Sequence, residues 1–417
     1  MTSKNWAGNL TYRATSLVEP TSLDELRDVI GAQRSVTALG SRHSFNDIAD
    51  TEHTQVSVRR MPAEMTIDAS ARTVTVNAGA RYGEFVESLD AAGWALHNLA
   101  SLPHISVAGA IATGTHGSGD GNGSLASAVA AMDFVLADGS LLSVRRGETD
   151  FEAMVVALGA LGVAHRVTLD ISPAFEIRQS IWERLSWSSL ADDFDAITSA
   201  AYSVSLFTDW GDDGITQAWL KSTADDPRAL ERDEFFGATP ASTPLHPLPD
   251  VDPQFTTDQL GVAGRWWNRL PHFKLEFTPS NGEEMQSEYL VPRSHALAAI
   301  DAVRQLAPRI RPHLFVSEIR TIARDDLWLS PSHGVDCVAL HFTWQPHIAE
   351  VDALLPHLDA ALAPFEARPH WGKLFATDRD RLSEVYPRLR AFDALASTLD
   401  PEGKFRNDFL DRWIFSR

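Results

Sequence analysis

The sequence predicts a mixed α+β fold with two domains. Stretches of period-two alternation, typical of strands, are interspersed with stretches of helical spacing along the whole chain. From about Pro173 the composition of the sequence changes: Trp and Phe become frequent, and proline-rich stretches interrupt the periodic pattern. A chain of 417 residues is long enough for two or three domains. We therefore expect an N-terminal domain over residues 1–173 and a second domain over residues 174–375.

Caps, periodicity and turn residues predict the elements of the N-terminal domain. Ser22 and Glu25 have capping-box spacing and open a helix that closes near Gly31. Asp138-Gly139 is a strong hairpin turn signal between two strands. The predicted strands of this domain span residues 35–39, 72–77, 132–137, 141–145 and 163–171, and its other predicted helices span residues 82–92 and 151–158.

The second domain is predicted from the same two periodicities. Residues 314–323 and 336–344 alternate like strands, whereas residues 295–307 and 351–365 have the spacing of amphipathic helices. Residues 238–253 are rich in proline and predict a loop. This domain is therefore also expected to be α+β.

Composition argues against several classes of function. The formal net charge of -20 repels polyanions, so nucleic acid and anionic membranes are unexpected partners. No segment approaches the roughly eighteen apolar residues of a spanning helix, and the first residues do not form a signal-peptide pattern. The single cysteine, Cys337, excludes an internal disulfide and every multi-cysteine zinc pattern. We expect a cytoplasmic protein without a metal site.

Residues 101–125 hold six of the 25 glycines and no lysine or arginine. Such glycine density lets backbone N–H groups approach a ligand closely and form anion-binding concavities. Apolar residues interleave with the glycines, which favours an ordered segment over a flexible linker. The spacing matches neither a P-loop, a dinucleotide fingerprint nor a hydrolase nucleophile elbow. A pyrophosphate held here would be bound by backbone amides and a helix N-terminus.

Two predicted strands carry polar residues on one face. Alternation places His341 and Thr343 on the same face of one strand, and Glu318 and Arg320 on the same face of the other. A solvated face with a weak surface ion pair would explain this pattern. This is the commonest explanation of such a pattern, and a pocket floor that holds a hydroxyl-rich ligand by charge-assisted hydrogen bonds is the alternative. Periodicity alone leaves both interpretations open.

Several motifs together resemble one enzyme family. They are ALGSRHSFN (38–46), ASLPHISVAGAIATGTHGSGDGNGS (100–124), SEIR (317–320), HFTW (341–344) and RPHWGKLF (368–375). In this order they resemble the xylitol/alditol oxidases, a branch of the vanillyl-alcohol oxidase family of FAD enzymes. The resemblance runs from NWAGNLTY near the start to DPEGKFRNDF near the end. It implies a vanillyl-alcohol oxidase-like FAD fold with a cap domain for the substrate, and a return of residues 376–417 to the FAD-binding domain.

The resemblance also implies the cofactor and its contacts. It matches His43 to the histidine that these oxidases join covalently to FAD, and Ala100 to a position near the flavin face that reacts with O2. Arg42 stands where a small residue, commonly glycine, is expected. The further residues expected to contact FAD are Ala38, Leu39, Gly40, Ser41, Arg42, Ser44, Ser101, Ser106, Gly109, Thr113, Gly114, Thr115, His116, Ala164 and His370.

For the substrate, the resemblance implies polyol contacts at Ser101, Glu318, Arg320, Thr343 and Lys373. Arg320 and Lys373 would stabilise the alkoxide that develops at the reacting hydroxyl. Lys373, His341 or a water would take the proton. The expected reaction converts the terminal primary hydroxyl of an alditol such as xylitol or sorbitol to an aldose, with O2 reduced to H2O2. The expected partners are a small polyol and O2, and the expected state is a monomer.

Alternatives stay open at this point. An aldonolactone oxidoreductase, or a dehydrogenase that does not use O2, would share the fold, and a lactone also carries hydroxyls. A non-catalytic carbohydrate-binding protein would be colourless and would bind sugar without a spectral change. Fold alone does not decide among these, because function resides in the site.

Overall fold

The computed structural model describes residues 3–227, 232–276 and 284–415. Its N-terminal part, up to residue 173, combines short strands with short helices. The strands are β1 (Ser16–Val18), β2 (Val36–Ala38), β3 (Thr54–Val56), β4 (Met65–Asp68), β5 (Thr73–Asn77), β6 (Trp94–Ala95), β7 (Val129–Val135), β8 (Leu141–Arg145), β9 (Val163–Asp170) and β10 (Ser172–Pro173). The helices are α1 (Leu23–Ala32), α2 (Tyr82–Ala91), α3 (Val107–Ala112) and α4 (Phe151–Val155).

These strands form two main sheets. The first has the order β1-β3-β2 with parallel pairing, and the second has the order β4-β5-β9-β7-β8 with antiparallel pairing. The predicted cap of α1 is confirmed, because the Ser22 side chain accepts from Glu25 N at 3.2 Å. The predicted hairpin is also confirmed, with Gly139 at a φ of 79° in the turn. Its loop is wider than the Asp138-Gly139 pair, since Leu136 N donates to Ser140 O at 2.9 Å.

The second part of the chain forms one large antiparallel sheet with helices packed on it. Its strands are β11 (Glu176–Leu185), β12 (Ser203–Thr208), β13 (Ile215–Thr223), β14 (Thr239–Pro240), β15 (Ala263–Arg265), β16 (Met285–Pro292), β17 (Leu314–Ile322), β18 (Cys337–Trp344) and β19 (Arg368–Pro369). The sheet order is β14-β11-β13-β12-β17-β18-β16-β19, and β15 pairs with β11. The helices are α5 (Trp187–Asp192), α6 (Phe194–Thr198), α7 (Ala296–Gln305), α8 (Ala307–Ile310) and α9 (Ile348–Leu362).

One face of this sheet packs into a core and the other faces a cavity. In β18 the alternate residues Val338, Leu340, Phe342 and Trp344 join a buried apolar cluster with α7 and α9. Because side chains alternate across a strand, His341 and Thr343 then point to the opposite face. That face carries the candidate site.

The C-terminal helices α10 (Arg379–Val385), α11 (Leu389–Leu399) and α12 (Asp408–Trp413) pack against the N-terminal part. Lys404 Nζ donates to the carbonyls of Ile30 at 2.8 Å and Ala137 at 2.7 Å. Phe392, Phe405 and Phe409 belong to the same buried cluster as the N-terminal strands. The domain boundaries at residues 173 and 375 stay a prediction.

Some predicted boundaries differ from the structure for local reasons. The helix predicted over residues 151–158 ends at Val155, and Leu158 adopts a left-handed φ of 54°. The helix predicted over residues 351–365 runs instead from Ile348 to Leu362. Its first turn, which begins at the exposed Ile348, lies before the predicted start, and residues 363–365 form a 3-10 turn instead of continuing the α-helix. The strand predicted over residues 132–137 spans Val129–Val135, because pairing with β9 overrides the low strand propensity of its alanines.

In the proline-rich loop predicted over residues 238–253, only the two-residue strand β14 pairs with the sheet, and a short 3-10 turn begins at Pro253. No helix within the described ranges is both long and apolar enough to cross a membrane.

Candidate active site

The turn after β2 carries His43 into a cavity. Arg42 has a left-handed φ of 66°, which explains why glycine is the residue expected there. His43 Nδ1 lies 3.0 Å from Ser41 Oγ. His43 Nε2 is buried and has no hydrogen-bond partner within the described part of the chain. Burial and the charge of Arg81 lower the pKa of His43 to about 4, so the ring is neutral at pH 7.

This turn meets the glycine-rich segment at a pair of serines. Ser41 N donates to Ser106 Oγ at 3.1 Å, and Ser106 N donates to Ser41 Oγ at 2.9 Å. A Cβ added to Gly40 would lie 2.5 Å from Ser106 Oγ, and one added to Gly109 would lie 2.7 Å from it. A side chain at either position would displace the Ser106 hydroxyl, so the two glycines allow the loops to keep this pair of serine hydrogen bonds. Both loops line the cavity.

The N-terminal segment holds the same turn from its other side. The Trp6 ring stacks on His43 with 5.2 Å between centroids and 21° between planes. Trp6 N donates to Arg42 O at 2.8 Å. The side chains of Asn5 and Asn9 donate to the carbonyls of the two residues after His43, at 3.0 and 2.9 Å. The position of the imidazole is thus fixed by stacking and by its backbone.

A cavity of about 510 Å³ connects this turn to the large sheet. At the N-terminal sheet its lining is apolar and includes Met132, Phe134, Met154, Leu158 and Val163. Around the two glycine-bearing loops its lining includes the small residues Gly40, Ser41, Ser106 and Gly109. At the large sheet its lining is polar and charged. The cavity therefore offers successive environments for an extended ligand that has an apolar part and a polar part.

Strands β16, β17 and β18 supply the polar wall. His341 lies between Glu318 and Glu288 in the register, paired with one on each neighbouring strand. Glu318, Arg320, His341 and Thr343 are all buried. The interpretation of these strands as solvated faces is therefore wrong, and the pocket floor remains.

Glu288 is the centre of the charged cluster. Its Oε1 accepts from Arg320 at 2.5 Å, and its Oε2 lies 2.9 Å from Lys373 Nζ. His116 Nε2 lies 3.4 Å from Oε1. Burial opposes ionisation of Glu288, but the charges of Lys373 and Arg320 outweigh burial and hold its pKa well below the usual range. Glu288 is therefore an anion that fixes two cationic side chains.

Glu318 is the second carboxylate of the wall. Its Oε1 accepts from His272 Nε2 at 2.8 Å, and its Oε2 lies 3.6 Å from Arg320 Nε. Burial again opposes ionisation, but Arg320 and His272 outweigh it and lower the pKa of Glu318. His272 is anchored by its own backbone, since its N donates to Ser101 O at 3.1 Å.

Two further groups can exchange protons in this cluster. Burial, with the charge of Lys373, holds the pKa of His341 well below its usual range, so its ring is neutral. His341 Nε2 lies 3.1 Å from Gln286 Oε1, an acceptor, which leaves Nδ1 with the lone pair. Burial also lowers the pKa of Lys373. The wall can therefore donate to a developing oxyanion, accept hydroxyl protons and bind several hydroxyls.

The structure brings the predicted site residues to this cavity with one exception. Those that line it are Ala38, Leu39, Gly40, Ser41, Arg42, His43, Ser44, Ala100, Ser101, Ser106, Gly109, Thr113, Thr115, His116, Ala164, Glu318, Arg320, His341, Thr343, His370 and Lys373. Gly114 does not line it. Its φ of 69° turns the backbone, and a Cβ there would lie 2.9 Å from Pro331.

Sequence reasoning missed Glu288, Gln286 and His272. Gln286 and Glu288 are two residues apart on β16, so the period-two signal that found Glu318 and Arg320 was present there as well. His272 lies in a segment without regular structure and carries no such signal.

Comparison with known proteins matches both parts of the chain. Residues 14–145 match a family model described as an FAD binding domain, and residues 279–413 match one described as D-arabinono-1,4-lactone oxidase. The chain is 49% identical over 412 residues to an alditol oxidase from a Streptomyces species, covering 97% of each. It is 29% identical over 424 residues to an L-gulono-1,4-lactone dehydrogenase from Mycobacterium tuberculosis, covering 98% of each.

Solved structures match over nearly the full length. A cholesterol oxidase from Brevibacterium sterolicum superposes with a TM-score of 0.79 at 14% identity, covering 99% of this chain and 96% of that one. A glucooligosaccharide oxidase from Acremonium strictum superposes with a TM-score of 0.73 at 15% identity, covering 99% of this chain and 93% of that one. At such low identity these matches concern the fold alone, and they confirm the predicted two-domain α+β fold class.

Proposed function

Because the chain belongs to the alditol oxidase branch of the vanillyl-alcohol oxidase family of FAD enzymes, we propose that it oxidises the terminal primary hydroxyl of alditols such as xylitol and sorbitol. The products are the aldose and, from O2, H2O2. The observation that carries the proposal is the buried wall in which Arg320 and Lys373 meet on Glu288 beside Glu318. The chain is an oxidoreductase acting on CH–OH groups, so the non-catalytic sugar-binding alternative is set aside.

The residues of the cavity fit FAD. The loops around Gly40 and Gly109 present backbone to the cavity, as a pyrophosphate requires, and the apolar lining suits aromatic rings. We propose that His43 is the covalent anchor. Its neutral ring and its buried, unpartnered Nε2 support this, since a nucleophilic imidazole must be unprotonated. FAD, when bound, supplies the two-electron acceptor that oxidises the substrate and is reoxidised by O2.

The side chains of the polar wall bind and orient the polyol. Arg320 stays charged, and with Lys373 it donates to the oxygen on which negative charge develops. Glu318 and Thr343 hold hydroxyls further along the alditol and thereby select its length and stereochemistry. Ser101 lines the same cavity and is linked to Glu318 through His272, whose backbone N donates to Ser101 O and whose ring donates to Glu318.

Lys373 and His341 are the two groups able to take the hydroxyl proton. Burial favours the neutral form of both. His341 has a lone pair at Nδ1 when Nε2 faces Gln286, whereas Lys373, which pairs as a cation with Glu288, accepts a proton only in its deprotonated fraction. Comparing His341→Gln with Lys373→Met in the pH dependence of flavin reduction identifies the acceptor. The variant of the true acceptor loses the acidic limb of the profile, where protonation of the base slows the reaction, whereas the other variant keeps it.

O2 consumption and H2O2 release test the proposal. The purified protein is supplied in turn with xylitol, sorbitol and L-gulono-1,4-lactone. Turnover of the alditols with one H2O2 formed per O2 consumed supports alditol oxidation. Turnover of the lactone alone contradicts it.

Aldonolactone oxidation is the second candidate. The match of residues 279–413 to a lactone oxidase model and the 29% identity to a lactone dehydrogenase favour it. The same carboxylates could bind lactone hydroxyls. The higher identity to an alditol oxidase places this candidate second. Location in the cytoplasm, the monomeric state and the absence of nucleic-acid or membrane partners remain predictions.

A further inference from the structure

We propose that Lys221 and His272 are positioning residues that orient the Glu318 carboxylate and thereby set the affinity for the polyol. This inference rests on the proposed oxidation of a polyhydroxylated substrate. The three side chains form the Lys221–His272–Glu318 network, which runs from the interior of the large sheet to the cavity.

Lys221 is the buried end of this network. It lies on β13 and is 1% exposed. Its Nζ lies 2.6 Å from Leu270 O, 2.9 Å from Pro271 O and 3.2 Å from His272 Nδ1. An ammonium has three N–H donors, and these three acceptors use all of them. Lys221 therefore fixes both the backbone before His272 and the ring of His272.

The donor from Lys221 also determines the tautomer of His272. Since Nδ1 accepts, the ring proton of the neutral imidazole lies on Nε2, which donates to Glu318 Oε1 at 2.8 Å. Burial, with the charge of Lys221, lowers the pKa of His272 to about 4, so the ring is neutral. The rings of Phe207 and Trp219 pack edge-on against His272 and restrict its rotation. The orientation of His272 is thus fixed at both nitrogens and along its sides.

The fixed orientation of His272 in turn fixes the orientation of the Glu318 carboxylate. His272 uses Oε1, and Arg320 Nε is 3.6 Å from Oε2, too far for a strong hydrogen bond. Oε2 therefore keeps acceptor capacity on the face of β17 that lines the cavity. A carboxylate held in this orientation accepts substrate hydroxyls without reorganising, which contributes to binding more than to the chemical step.

The experiment measures anaerobic flavin reduction, which gives the substrate Kd and the limiting rate. The variants are Lys221→Met, His272→Leu and His272→Gln, since the Gln amide can still donate to Glu318. Lys404→Met is the matched control, because it removes another buried ammonium that holds two backbone carbonyls, at a site outside the cavity. The melting temperature of each variant is recorded.

We expect Lys221→Met and His272→Leu to raise Kd at least about tenfold, with a limiting rate within about threefold of wild type. His272→Gln should recover most of the affinity, and Lys404→Met should leave Kd unchanged even if it melts earlier. An unchanged Kd in His272→Leu, equal losses in His272→Gln and His272→Leu, or a loss confined to the limiting rate would overturn the proposal.

A failure of the proposed alditol oxidation can be distinguished from a failure of the positioning proposal by the behaviour of the wild-type protein. If xylitol does not reduce the wild-type flavin but L-gulono-1,4-lactone does, alditol oxidation is wrong. The same Kd comparison with the lactone then decides whether the network positions Glu318, since any polyhydroxylated substrate needs that acceptor.

Discussion

Replacing Glu288 by glutamine removes the charge on which the cavity's two cations converge. Glu288 is 1% exposed and contacts Arg320 at 2.5 Å and Lys373 at 2.9 Å. At an effective dielectric of about 20, each contact corresponds to roughly 6–7 kcal/mol of attraction, which desolvation of the three groups offsets in part. Removing one member of a buried ion pair typically costs about 3–5 kcal/mol. Glu288→Gln should therefore destabilise the protein by about that amount.

Thermal unfolding measures this loss. With an unfolding entropy of about 2.1 cal/mol/K per residue, the expected decrease in Tm is roughly 3–6 °C. Glu384→Gln is the control, because Glu384 pairs with Arg381 on the surface and is 67% exposed. It should change Tm by less than about 1 °C. A Glu288→Gln protein that melts within about 1 °C of wild type would refute the claim that this carboxylate holds the cluster.

Other predictions concern the cofactor and the chemistry. Arg320→Ala should slow flavin reduction by roughly 10²- to 10³-fold in stopped flow, and a change below about threefold would remove Arg320 from the mechanism. His43→Ala should release FAD into the supernatant on acid precipitation, and flavin retained in its pellet would refute the anchor. Trp6→Ala, which removes the ring stacked on His43, should lower the covalently bound fraction more than Trp6→Phe does. Burial lowers the pKa of Lys221 to about 7, so its ammonium fraction falls above that pH. KM for the alditol should then rise between about pH 7 and 9 in the wild type and stay level in Lys221→Met.

The sequence predicted the strand faces of the site because the side-chain period of a strand is local. Glu318 with Arg320 and His341 with Thr343 follow from alternation, and pairing of β17 with β18 places Glu318 opposite His341. The proposed histidine anchor and the expected loop contacts came from family resemblance. Periodicity could not identify these cofactor contacts, because they would be made largely by the backbone. Backbone contacts leave little trace in the sequence apart from a high density of glycine.

The rest of the site depends on tertiary packing. Lys221 and His272 are 51 residues apart in the sequence, and Glu318 is a further 46 residues away. Their contact requires the sheet order that places β12 between β13 and β17, which no local spacing encodes. A buried lysine on a strand is also unexpected, since Lys is seldom buried without partners. The two carbonyls and the imidazole that satisfy it become visible only in the fold.

Anaerobic mixing of the purified protein with xylitol tests the central claim most directly. We predict that the flavin absorbance bleaches, and that admitting O2 restores it with one H2O2 released per flavin. A flavin that stays oxidised with both xylitol and sorbitol, yet bleaches with L-gulono-1,4-lactone, would contradict alditol oxidation.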